Sequence, residues 1–238
     1  MDANRSGLGI VCFREGECLF LSRLVLPIDI VELFDENKLS INVLETAAAV
    51  LGLLVLRERV SEEEWNTMVI RVRGDSSSAT SWLTRGGAKG AAAGALVKLL
   101  SPLHEEGRVH ITYRWREGKR YELADFLSRI QNGVANDNKL KFDPNMTDEE
   151  IINFCHTNFA HIYTQFQLKS ATFARPSSFS VESLLKALRS SDEEENDPPP
   201  GWIRCGTLEI SERNHKITNK ESRFQTSRKE NCGKEPGR

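Results

Sequence analysis

The 238 residues contain no apolar run that can cross a bilayer: the longest, Val43 to Leu56, carries Glu45 near its start and falls short of the roughly 20 residues a spanning helix needs. A membrane protein is thereby excluded at the level of sequence. The chain opens Met-Asp-Ala-Asn-Arg, without the cationic start and apolar stretch of a secretory signal. Five cysteines, an odd number with no CxxC pair, argue against a disulfide scaffold and for a reducing compartment, cytosol or nucleus. Charge of one sign is also lacking. Thirty-two Lys and Arg against 34 Asp and Glu leave a net charge of -2, so any nucleic-acid-binding face must be local. What is present, 39% hydrophobic and 28% charged residues, suffices for a soluble core over part of the chain.

Composition changes after about residue 130, and nearly all periodic apolar patterning precedes it. Gly7 to Phe13 and Glu17 to Leu24 flank Arg14-Glu15-Gly16 and read as a hairpin with Gly in the turn. Cys12 and Cys18 then fall on adjacent strands as small buried thiols. Ser40 stands where it can cap a helix with Ile41, Leu44, Ala48, Leu51 and Val55 on one face. Thr67 to Arg73 alternates as a strand and stops at Gly74-Asp75; Ser76 to Thr84 reads as a helix broken by Gly86-Gly87, and Ala88 to Leu103 as a second, small-residue helix. Arg108 to Trp115 alternates again, and Glu122 to Ile130 is a last short helix. The order predicts an α/β (α+β) fold, a mixed sheet with helices packed on it, over residues 1–130. Residues 131–142 read as a polar linker, 143–189 as a helical region opened by a Thr147/Glu150 capping box, and 190–238 as a disordered tail, acidic and Pro-rich at first and basic after Trp202.

Four acids occupy positions that such a fold can gather: Asp2 on the first strand, Glu45 on the first long helix, Asp75 at a strand end and Asp125 on the last short helix. Their surroundings carry a resemblance. Asp2-Ala3-Asn4-Arg5-Ser6-Gly7-Leu8-Gly9 resembles the DAS-x-x-G-x-G strand that opens ribonuclease H domains of the retroelement type. Ile41-Asn42-Val43-Leu44-Glu45-Thr46-Ala47-Ala48 resembles the family's IN-x-LE-x-x-A helix, and Gly74-Asp75-Ser76 through Leu83 its DN-x-x-A-x-x-x-L segment. Gly118 to Arg129, ending Ala124-Asp125-Phe126-Leu127-Ser128-Arg129, is similar to the closing G-x-x-N-x-x-AD-x-LSR. The four stretches stand in family order over residues 1–129. The nearest texture is that of ribonuclease H domains that follow reverse transcriptases in eukaryotic retrotransposons, the DIRS-like elements in particular.

The resemblance implies a ribonuclease H-like, five-stranded mixed sheet and hydrolysis of the RNA strand of an RNA–DNA hybrid, with the reverse transcriptase of the same element as a further partner. It implies two magnesium or manganese ions held by Asp2, Glu45, Asp75 and Asp125. The chemistry is consistent: ionised carboxylates crowded together repel unless a cation joins them, oxygen-only ligands select magnesium or manganese, and two ions about 3.5–4 Å apart can serve both the attacking water and the leaving oxygen. Arg73, Arg116, Lys119 and Arg120, with Arg71, Arg85, Lys89 and Arg114, are candidates for holding phosphates.

The sequence departs from the family pattern in three places. Ser76 and Tyr121 stand where the family has Asn, and only Met1 precedes Asp2, which predicts a fraying first strand and a reading frame that begins inside a longer polyprotein. The alternative function is an inactive remnant that binds nucleic acid or protein. Other motifs are weaker: Gly86-Gly87-Ala88-Lys89-Gly90 lacks the spacing of a phosphate loop, and Cys155, His156 and His161 lack a fourth metal ligand. His110 alternates with strand residues and reads as structural, while His104 lies near a turn, where an auxiliary catalytic role stays open.

Overall fold

The computed structural model describes residues 1–105, 109–116, 122–135, 140–159 and 171–190. The chain divides into two units, 1–195 and 196–238, and the second lies wholly outside the described residues, as does all of the expected disordered tail beyond Ser190. The elements run β1 (Asp2–Asn4), β2 (Gly7–Arg14), β3 (Glu17–Val25), α1 (Ile28–Asp35), α2 (Ile41–Arg59), α3 (Glu62–Thr67), β4 (Val69–Gly74), α4 (Ser77–Arg85), α5 (Ala91–Lys98), α6 (Ser101–Glu105), β5 (His110–Trp115) and α7 (Glu122–Ser128). A 3-10 turn (Ile130–Asn132), β6 (Val134–Ala135), β7 (Leu140–Lys141), α8 (Asp148–Phe159), β8 (Thr172–Phe173) and α9 (Ser178–Leu188) follow.

The fold is mixed α/β. Strands β1, β2 and β3 form an antiparallel meander, β8 adds in parallel beyond β3, and β4 pairs in parallel with β5. The β2–β3 hairpin turns through Glu15 and Gly16, both at positive φ (51° and 89°), the twist that a tight hairpin demands and that Gly adopts without strain. Between β1 and β2 the Asn4 side chain closes the turn: its Oδ1 accepts from the Ser6 and Gly7 amides at 2.6 and 3.0 Å. The two sheets approach at the chain start, where the Met1 nitrogen donates to the Arg73 carbonyl of β4 at 3.1 Å.

Helix α2 is the centre of the core. The expected face of Leu44, Ala48, Leu51 and Val55 is buried, but so are Val50, Leu53 and Leu56 around the circumference, because α2 lies between the meander, α4, α5 and α9 and has little solvent face. Ile41 departs from expectation, being 42% exposed at the entry to the helix. Ser40 occupies the N-cap position without a side-chain capping bond. The stretch read as one helix from Ala88 to Leu103 is divided into α5 and α6.

No domain boundary falls at residue 130. Leu184, Ala187 and Leu188 of α9 belong to the same buried cluster as Leu44 and Leu51 of α2 and Leu96 of α5. Glu58 near the end of α2 accepts from the Ser177 hydroxyl at 2.6 Å and from Ser180, fixing the start of α9. The expected linker is partly structured: its described residues include the β6–β7 pair. Helix α8 begins with the expected capping box, Thr147 and Glu150 bonding reciprocally at 2.7 to 3.3 Å. Its Ile151, Cys155 and Phe159 pack with Leu123, Phe126 and Leu127 of α7 in a second cluster, where Phe126 stacks on Phe154 at 4.9 Å. Among the described residues no helix is long and apolar enough to cross a membrane.

Candidate metal centre

Three chain segments meet beside the first strand. Gly7 and Gly9 of β2 lie so close to α7 that a Cβ on Gly9 would stand 2.2 Å from the Ala124 carbonyl, so only glycine admits this approach of strand to helix. The approach brings Ser128 to Asp2, whose Oδ2 accepts from the Ser128 hydroxyl at 2.7 Å. Across β1 the Ala3 amide donates to Glu45 Oε1 at 3.0 Å, tying the strand to the second turn of α2. The third segment is the end of β4: Ser76 caps α4 by accepting from the Ala79 amide at 3.0 Å and donates to Asn42 Oδ1 at 2.9 Å, which holds Asp75 beside the start of α2. The Asp75 carbonyl accepts from the Trp115 indole at 2.6 Å.

The result is a group of three acids. One ligand oxygen from each of Asp2, Glu45 and Asp75 lies within 4.8 Å of the others, with Asp2 and Glu45 buried and Asp75 half-buried. Burial pushes the Glu45 carboxyl up to about 8, helped by the charges of Asp2 and Asp75 and opposed by the Ala3 hydrogen bond. Burial likewise pushes Asp2 up to about 6; the Ser128 bond lowers it, and the charges of Asp125 and Asp75 raise it. The buried Met1 ammonium faces the same three acids and lowers the pKa of both Asp2 and Glu45; three carboxylate oxygens so gathered are an arrangement that can hold a metal ion.

The expected site residues divide. Asp2 is at the centre of the group and 8% exposed; the expected fraying is absent because β1 is held by β2, by Glu45 and by Ser128. Asp125 is not in the group: its carboxylate pairs with Arg129 one turn along α7, although its charge reaches Asp2. Asp125 and Arg129 pair at i and i+4 on α7. Arg73 ends β4 half-buried, and Arg116 follows β5 exposed, its amide donating to the Gly74 carbonyl at 2.9 Å. Lys119, Arg120 and Tyr121 lie outside the described residues, as does His161. His104 is exposed on α6, and Cys155 is a core thiol whose pKa burial drives up. Sequence reasoning missed Ser128 as the partner of Asp2 and took Ser76 as a loss, whereas Ser76 joins α4 to α2. A Ser immediately before a helix carries an N-cap signal; Ser128 was marked only as part of the closing motif, with no role attached. Compared with known proteins, the chain matches no protein-family model, no curated protein and no solved structure.

Proposed function

We propose that the chain is a ribonuclease H-like, metal-dependent nuclease that hydrolyses the RNA strand of an RNA–DNA hybrid. The observation that carries the reading is the convergence of Asp2, Glu45 and Asp75 from three distant parts of the sequence onto one spot. Each of the three is an acid that the resemblance singled out. The strands β1–β3 and the parallel pair β4–β5 approach at the bond between Met1 and Arg73, but the expected five-stranded sheet is two sheets here, one of four strands with β8 added beyond β3 and one of two.

The residues fit magnesium or manganese, since the donors are all carboxylate oxygens; their pKa values are raised chiefly by burial, and the buried Met1 ammonium offsets part of their charge. Divalent ions bound there would supply positive charge to the scissile phosphate and acidify the attacking water. Asp2, Glu45 and Asp75 would hold them, Ser128 and the Ala3 amide fix the directions of two of those carboxylates, and Arg73 and Arg116 can meet flanking phosphates. Asp125 acts through its charge on Asp2.

The test is cleavage of a labelled hybrid with magnesium or manganese. Asp75→Asn, which keeps the shape but removes an anionic ligand, is expected to lower the rate by about 100-fold or more while the circular dichroism spectrum and melting temperature hold. A wild-type protein that is folded, binds hybrid and cuts nothing with either metal overturns the nuclease reading and leaves the inactive binding module.

A further inference from the structure

Trp115 closes β5 with its ring in solvent. Aromatic rings of that size are ordinarily covered, yet this one is 55% exposed, while Trp65 is fully buried. The ring is not loose: its indole nitrogen donates at 2.6 Å to the carbonyl of Asp75, one of the three clustered acids. An exposed aromatic face is thus held rigidly at the margin of the acidic group. Its surroundings are cationic. Arg114 and Arg116 flank it in sequence, both exposed, and Arg73 pairs with Arg114 across the β4–β5 ladder. Arg114 and Arg116 are exposed and Arg73 half-buried, so cationic groups of the β4–β5 ends can be reached by phosphates.

We infer that Trp115 is a stacking platform for an unpaired nucleobase, and that the preferred substrate is a hybrid with a single-stranded extension. The inference rests on the nuclease reading for the location of the hybrid, and the step beyond it follows from geometry. Bases inside a duplex present only their edges to a protein, their faces being covered by their neighbours; an indole can lie flat only on a base that has left the helix. An aromatic face together with Arg side chains that follow the backbone is the combination that binds single strands without regard to sequence. The tether to Asp75 sets the extension next to the acids, so Trp115 determines which end or junction is presented and takes no part in the bond cleavage.

The experiment measures binding in EDTA, by fluorescence anisotropy, of three labelled probes: a blunt hybrid, the same hybrid with a single-stranded tail, and the tail alone. Cleavage of the two hybrids with magnesium is followed in parallel. The wild type is expected to bind the tailed hybrid about 10-fold more tightly than the blunt one, the scale of one base stacked on an aromatic ring. Trp115→Ala is expected to erase that difference and leave blunt-hybrid affinity unchanged, whereas Trp115→Phe, which keeps a ring and loses the N–H donor, retains most of it. In cleavage the loss falls on KM for the tailed substrate and spares kcat. Equal affinity of the wild type for blunt and tailed probes overturns the inference, and so does equal loss in the Phe and Ala variants, which assigns Trp115 to holding Asp75. Failure of the nuclease reading is separable: a wild type that cuts nothing yet loses its tail preference in Trp115→Ala retains the platform, and one that binds none of the probes ends both.

Discussion

At the scale of the residue, the hydroxyl of Ser128 carries more weight than its size implies. It is 2% exposed and donates to a buried carboxylate. Ser128→Ala leaves Asp2 short of a partner, which costs about 1–3 kcal/mol and raises its pKa further, because the removed bond is the main influence lowering it. Urea denaturation at neutral pH should register the loss, and an unchanged midpoint would show that Asp2 has another donor. Gly9→Ala should cost about 2 kcal/mol or more by forcing α7 off the strand, since the new methyl meets backbone atoms that cannot swing aside. The acids themselves were legible in sequence because each sits in a short pattern whose glycines, caps and apolar neighbours are local. The pairing of Asp125 was not foreseen, although its Arg129 partner stands at helix spacing: a motif gives position along the chain and says nothing of the ion pair a side chain makes.

At the scale of the element, the instructive part is the segment after residue 140. Its composition reads as an appendage, yet β8 extends the meander and α9 lies on α2 and α5. The helix itself was within the region expected to be helical, and Leu184 and Leu188 have the right spacing; what sequence does not carry is which distant face that stripe meets. Leu184 is fully buried, so Leu184→Ala is expected to destabilise the whole unit by about 2–5 kcal/mol in urea. A loss confined to α9, seen as hydrogen exchange in that helix alone with α2 and α5 still protected, would instead make α9 an appendage. Helices α1 and α3 were missed for a simpler reason: they have 8 and 6 residues, too short for apolar periodicity to stand out. The β1–β3 meander and α7 were legible because turns, glycines and alternation are local signals.

At the scale of the whole molecule, the three acids link stability to pH and to metal. Asp2 and Glu45 have folded-state pKa values of about 6 and 8 against ordinary values of 3.8 and 4.5. Over that interval the folded protein retains protons that the unfolded chain gives up, so stability is fully present below about pH 4 and declines as pH rises towards 8. In EDTA the melting temperature should therefore fall from pH 5 to pH 8, by less than the two acids alone would give, because burial holds the Met1 ammonium below its ordinary 8.0 and its contribution rises with pH over the same interval. The buried thiols do not confuse the measurement, because Cys12 and Cys18 are pushed up to about 11 and 12 from an ordinary 9.0 and act only at more alkaline pH. A divalent ion reverses the slope's cause: it binds the ionised acids, competes with protons and stabilises the folded state alone, so millimolar magnesium should raise the melting temperature most at pH 8 and least at pH 5. Glu45→Gln retains an oxygen that can accept from Ala3 while removing the most shifted charge, and should confine the fall to the range in which Asp2 titrates, up to about pH 6, and abolish the magnesium gain together. A wild-type profile that is flat without metal would mean that the Met1 ammonium offsets the two buried carboxyls in full. A sloping profile that magnesium and manganese leave untouched, with the slope above about pH 6 still lost in Glu45→Gln, would separate the two properties and make the trio a buried acid cluster without affinity for either ion.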